Sequence, residues 1–209
     1  MNLWQFAARG GILMVPIIAC GILAIAIIIE RILFLRRSEI DSEQFLQNVE
    51  KLLQARKIKE ALNNCETSHG PIPQIVRTAL LKSDRSIEEI KDSIHSEASY
   101  QVLYLEKYLG ILATIATIAP LLGFLGTVTG LIKAFIGIEE KGGIVYSGML
   151  ARGIWESLVA TLGGLVVAIP AYLGFNYLVA RVNRIIADME RSASRLMDIL
   201  VYMREEEDI

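Results

Sequence analysis

Charge is absent from three long stretches of this 209-residue chain, and no other feature limits its fold so tightly. Residues 10–29, 108–132 and 157–180 contain no Asp, Glu, Lys or Arg. Each stretch reaches the roughly 20 apolar residues that an α-helix needs to cross the hydrocarbon core of a bilayer. Averaged composition hides this: the chain is 53% hydrophobic and 21% charged, not far from the roughly 45–50% and 25% of soluble domains. The segregation predicts an all-α integral membrane protein. It has three transmembrane helices, two of them extended into a cytoplasmic helical bundle.

The first apolar run is expected to be a retained anchor. From Ile12 to Ile29 it exceeds the roughly 7–15 residues of a secretory signal core. Ala24-Ile25-Ala26 has the small-residue form of a cleavage site, but Ile27-Ile28-Ile29 follows where a mature terminus would be polar. Glu30-Arg31 and Arg36-Arg37 then supply a stop-transfer flank. Three spans place the termini on opposite sides of the membrane. With the N-terminus outside, the inner flanks hold Arg31, Arg36, Arg37, Lys107, Arg181, Arg184, Arg191 and Arg195, and the outer flanks Arg9, Lys133, Lys141 and Arg152. The positive-inside rule favours that orientation.

The resulting division is a short periplasmic N-terminus (1–11), helix one (12–30) and a cytoplasmic helical domain (31–107). Helix two (108–138), a periplasmic loop (139–152), helix three (153–180) and a cytoplasmic C-terminal helix (181–209) follow. Within 31–107, Asp41-Ser42 offers an N-cap before Phe45, Val49, Leu52 and Leu53 at helical spacing. His69-Gly70-Pro71 breaks the chain, with Pro73 suited to the first turn of the next helix. Ser86 with Glu89 forms a capping box. No Gly or Pro occurs between Ile87 and Gly110, which predicts one long helix running from the cytoplasm into the second span. After the third span, Val182, Ile185, Met189, Ala193, Leu196, Leu200 and Met203 recur at helical spacing, marking an amphipathic continuation.

Most familiar chemistry is missing. No Walker A loop occurs, and His69 and His95 have no Cys or His partner at metal-ligand spacing, so neither a metal, a cofactor nor an enzyme is expected. The glycines at 123, 126 and 130 follow no strand and make no dinucleotide fingerprint. Residues 31–107 hold twelve basic and twelve acidic side chains, a balance without the basic footprint of a nucleic-acid binder. Cys20 lies in a span and Cys65 in the charged domain, which predicts two unpaired thiols.

The informative residues sit in spans two and three. Pro120 and Pro170 each free a backbone carbonyl in mid-membrane and bend the helix. Thr127 and Thr161 lie deep in apolar runs, and Glu156 opens the third span. Gly126-xxx-Gly130 and the stripe Ala160, Gly164, Ala168 suit close helix contact. With spans two and three antiparallel and the threonines level, Pro120 falls beside Ala168 and Lys133 close to Glu156. Bland readings stand beside these. A membrane threonine also serves by bonding to its own helix, and Glu156 has an interfacial reading paired with Arg152 or Lys133. An intramembrane acid is costly and by default marks function. Glu156 and Thr161 are, however, about 140° apart on an ideal helix, too far for one narrow stripe.

Ala119-Pro120-Leu121-Leu122-Gly123-Phe124-Leu125-Gly126-Thr127-Val128 resembles the second-span motif of the ExbB/TolQ/MotA proton-channel family. Trp155-Glu156-Ser157-Leu158-Val159-Ala160-Thr161, with Gly164 to Ala171, resembles its third-span motif. The likeness covers the whole order of spans. It implies a multi-pass protein of the bacterial inner membrane, assembled as a homo-pentamer whose second and third spans line a pore. A dimer of a single-span ExbD/TolR-like protein with an intramembrane aspartate would thread that pore and pass work to a TonB- or TolA-like protein. The family's pore residues fall on Thr127, Thr161 and Glu156. Three spans and Glu156 resemble the ExbB or TolQ branch, whereas Lys133 departs from the motif and would neutralise Glu156. The expected function is a ring subunit of a motor driven by the proton-motive force. A passive membrane scaffold that organises envelope proteins is the alternative.

Overall fold

The computed structural model describes residues 10–140, 142 and 147–207. Arg9 and Lys141, used above for the outer flanks, lie outside the described residues. The order is α1 (Met14–Ser38), α2 (Ser42–Gln54), α3 (Ile58–Thr67), α4 (Pro71–Leu81), α5 (Ile87–Leu105), α6 (Leu109–Glu139) and α7 (Ser147–Glu207). No strand occurs among the described residues, and three helices are long and apolar enough to cross a membrane.

Local signals account for many helix ends. The Asp41 side chain accepts from the Gln44 N–H at 3.0 Å, and Ser86 accepts from Glu89 N–H at 3.2 Å, so each offsets one orphan donor of a first turn. Pro71 opens α4 at a position where its missing N–H costs nothing. Gly70 before it has φ +127° and lies against the Ser38 carbonyl, which only glycine accommodates there.

The long helix expected from Ile87 into the second span is not continuous. It breaks after Leu105, and Tyr108 takes a left-handed conformation at φ +68° before α6 begins. The absence of Gly and Pro did not keep it continuous, and the break falls where the chain passes from one compact unit to the other. Residues up to Lys107 belong to one compact unit and those from Tyr108 to another. By contrast α7 runs unbroken over 61 residues, including Pro170.

One unit comprises the described residues of Arg31–Lys107 and Val179–Ile209. Its helices α2 to α5 pack in sequence, each on the next. Its interior is large and aliphatic: Val49, Leu53, Ile75, Val76, Ile90, Met189 and Leu196 are almost fully enclosed. Burial at about 25 cal/mol per Å² of apolar surface drives such a core in water. Bidentate Arg181–Glu39 and single Arg195–Glu50 ion pairs tie the C-terminal helix to the rest. Arg31 is buried, donating to the Tyr104 carbonyl at 3.0 Å with its guanidinium 4.5 Å from the Phe34 ring centre.

The other unit comprises the described residues of Met1–Glu30 and Tyr108–Leu178. Here α6 and the first half of α7 meet along small residues, and α1 covers one side of α7. Large apolar side chains including Ile22, Leu121, Phe124, Phe135, Leu158 and Val166 point outward, a surface suited to lipid or protein partners and not to water.

Candidate functional site

The seam between α6 and α7 is built from residues with little or no side chain. A Cβ placed on Gly126 would run into Ala160, one on Gly130 into the Ser157 hydroxyl, and one on Gly164 would meet the Ala119 carbonyl and lie 3.1 Å from Gly123 Cα. Gly153 likewise faces Ala134 and the Gly130 carbonyl. Ala168 is buried on the same line. Backbone approach of this kind is how helices associate where lipid removes the hydrophobic drive.

Two polar pairs flank the seam, one on each side. The first is Thr127 and Thr161, whose hydroxyl oxygens lie 3.3 Å apart. The Thr127 hydroxyl lies 2.6 Å from the Phe124 carbonyl, and that of Thr161 lies 3.2 Å from the Gly123 carbonyl on the facing helix. The local bond that a membrane threonine ordinarily makes is therefore present, and a bond across the seam accompanies it. Each hydroxyl has one hydrogen, and both hydrogens have carbonyl partners within the pair's own surroundings. The oxygen lone pairs remain to accept. A neutral carboxylic acid or a water is the donor such a pair suits, and a neutral acid is also the form that an apolar span tolerates. Pro120 and Pro170 lie inside α6 and α7, where each removes the bond to the carbonyl four residues earlier, Ala116 and Val166.

The second pair is Lys133 and Glu156, with Lys133 Nζ donating to Glu156 Oε1. Glu156 does not share the threonine face. Val159, Gly163, Val167 and Gly174 lie within about 60° of it around α7. At Gly163, Val167 and Gly174 the neighbours are Met14, Ile17, Gly21 and Ile28 of α1, and Val159 contacts Met14's neighbour Gly10. Thr161 is turned about 140° away. Of the two partners considered for Glu156, Lys133 is the one it engages.

Sequence reading missed three contributors. Ser157, 2% exposed, donates to the Gly153 carbonyl at 2.8 Å and lies 3.1 Å from the Thr127 carbonyl across the seam. Gly123 carries the carbonyl that Thr161 meets. Gly11, at φ +75°, leaves the space that the Glu156 carboxylate occupies. The spacing of Gly123 and Ser157 from the recognised small residues was a usable signal. Gly11 had none, because it depends on the approach of a third helix.

Outside the spans, three groups among the described residues depart from their ordinary titration range, and Tyr100 is one, raised by its hydrogen bond to Tyr104. Hydrogen bonding by Arg181 holds Glu39 below the ordinary carboxylate range despite partial burial. Burial pushes the Cys65 thiol up to about 11. Among the described residues no cluster of His, Cys, Asp or Glu is arranged to hold a metal ion.

The model of the MotA/TolQ/ExbB proton channel family matches residues 49–191, more than half of the chain. The chain belongs to this family. A Synechocystis protein named ExbB-like 1 is 34% identical over 82% of this chain and 68% of its own length. Biopolymer transport protein exbB1 of Vibrio cholerae is 25% identical over 91% of this chain and 85% of its own. The Tol-Pal system protein TolQ of Haemophilus influenzae is 42% identical over a shorter region, 40% of this chain and 36% of its own. Family and apolar helices together make this a multi-pass protein of the inner membrane.

Proposed function

We propose that this chain is the ring-forming subunit of an inner-membrane motor driven by the proton-motive force. Five copies surround a dimer of a single-span ExbD/TolR-like partner, and the work passes to a TonB- or TolA-like protein that acts on the outer envelope. The N-terminus is periplasmic and the C-terminus cytoplasmic in this reading. The threonine pair carries it. The spans between Tyr108 and Ile132 and between Ser157 and Ala180 contain no acid, yet the Thr127 and Thr161 hydroxyl oxygens lie 3.3 Å apart at the seam edge away from α1. A relay lacking its own carboxylate needs one from a partner. The pair presents acceptors suited to that partner's aspartic acid once it is protonated.

The energetics are adequate without a nucleotide. One charge crossing 100 mV releases about 2.3 kcal/mol, and several per step do mechanical work. Bonding the neutral acid to hydroxyl oxygens lowers the cost of holding it in an apolar channel, and release toward the cytoplasm resets the partner. Relatives named for biopolymer transport and for the Tol-Pal system support an envelope transport process or Tol-Pal energisation as the process served. An adjacent reading frame encoding one span with an aspartate would supply the expected partner.

The test is Thr127→Ala and Thr161→Ala in cells that depend on this protein. Gradient-dependent function is expected to fall at least tenfold while membrane level and complex size stay unchanged. Full activity in both variants refutes the channel reading. Activity indifferent to an uncoupler favours the passive scaffold.

A further inference from the structure

The Lys133–Glu156 pair lies on the opposite side of the α6–α7 seam from the threonine pair. Glu156 shares a face of α7 with Val159, Gly163, Val167 and Gly174, which meet α1 and its N-terminal turn. Lys133 lies about 20° from Gly126 around α6 and about 120° from Thr127, and Gly126 is the position on α6 whose surroundings include Leu13. Both charges therefore sit on the α1 side of the seam, and the threonines on the other. Gly11 completes the site. Its Cα lies directly against the Glu156 carboxylate, and its φ of +75° disfavours any side chain. The carboxylate is consequently held beside the first turn of α1, where the helix dipole favours an anion.

We infer that Glu156 is a positioning residue, which with Lys133 and Gly11 clamps the α1 N-terminal turn, α6 and α7 together. It does not collect protons. The clamp rests on the proposed channel role only for its activity readout. Its job is to hold α7 in the rotation that presents Thr161 to Thr127. Glu156 is 22% exposed and Lys133 58%, so the pair faces the bilayer rather than a sealed core. There each charge makes the other tolerable, because removing one partner leaves an unpaired charge at an apolar surface, whereas removing both does not.

The test uses the full-length chain purified in detergent and the same variants in cells. Lys133→Glu and Glu156→Lys are each expected to lower the thermal midpoint by about 2–4 °C and to cut gradient-dependent activity at least tenfold. The swapped double variant is expected to melt above either single one, though below the wild type because its cation meets the positive end of the α1 dipole, and to regain activity well above that of either single variant. Should reversal prevent folding, Lys133→Gln and Glu156→Gln serve instead: the double variant should melt above either single one. Gly11→Ala, with both charges intact, should lower the midpoint similarly. A swap that melts above either single variant without regaining activity would overturn the inference, since it would show that a carboxylate is required at 156. A double variant whose midpoint loss is the sum of the singles would overturn it too. If the wild type shows no gradient dependence, the channel reading falls, and midpoint rescue alone decides the clamp.

Discussion

The two compact units solve the same packing problem with opposite materials. In the unit built from α2 to α5 and the C-terminal half of α7, contact is made by Leu53, Ile75, Ile90, Met189 and Leu196, all enclosed. Along the α6–α7 seam it is made by Gly123, Gly126, Gly130, Gly153, Ser157, Ala160 and Gly164. Burying bulk is favourable where the alternative is water. Lipid offers a leucine surroundings as apolar as any protein core, so only close backbone approach and hydrogen bonds distinguish one helix partner from another. The membrane unit thus gains its specificity from smallness, and its hydroxyls sit at the edge of a tight seam. The proposed channel role needs them in such a place, reachable by a partner's acid and sheltered from lipid.

Substituting bulk into the seam should break this contrast most severely. Gly164→Leu drives a side chain into the Ala119 carbonyl and Gly123, and loss of the assembled complex on size-exclusion chromatography is expected. The reverse change in the other unit, Leu53→Ala, should cost about 2–5 kcal/mol by opening a cavity, read as a lowered denaturation midpoint with the spans still inserted. Cys65 sharpens the picture of a dry core. With its thiol pushed from 9.0 to about 11, the thiolate is about 100-fold scarcer than in an ordinary cysteine at neutral pH. Alkylation in a Cys20→Ser background should be slow by at least that factor and become fast on unfolding. The smallest effect is expected at Glu39. Its carboxyl is held low by Arg181, so the stabilisation is complete above its unfolded value near 4.5 and is lost as pH falls through the lower folded value. Arg181→Gln should cost at most about 1 kcal/mol at pH 7, because the pair is partly exposed and screened, and should erase that acid-limb dependence in thermal melts.

Much of this was legible beforehand, for identifiable reasons. Span positions follow from missing charge, which lipid enforces without regard to tertiary detail. Asp41, Ser86 and Pro71 act within one helical turn, so a short window suffices to read them. A single antiparallel register sufficed to bring Thr127 level with Thr161 and Lys133 close to Glu156. The failures share a cause of another kind. The break at Tyr108 has no local breaker, and arises where one packing environment hands over to another. Arg31 is buried against Tyr104 and Phe34, although a basic residue in a stop-transfer flank reads as exposed. Gly11 looks like an ordinary terminal glycine until α1 brings it beneath Glu156.

The central claim is that the threonine pair accepts a proton-bearing group from a partner. Proton flux into vesicles carrying this chain with its single-span partner tests it directly, comparing Thr161→Ser with Thr161→Val. Serine keeps the hydroxyl and valine keeps the shape. The account predicts flux near wild type for serine and at least tenfold lower for valine at equal complex content. Equal flux from both variants would contradict it.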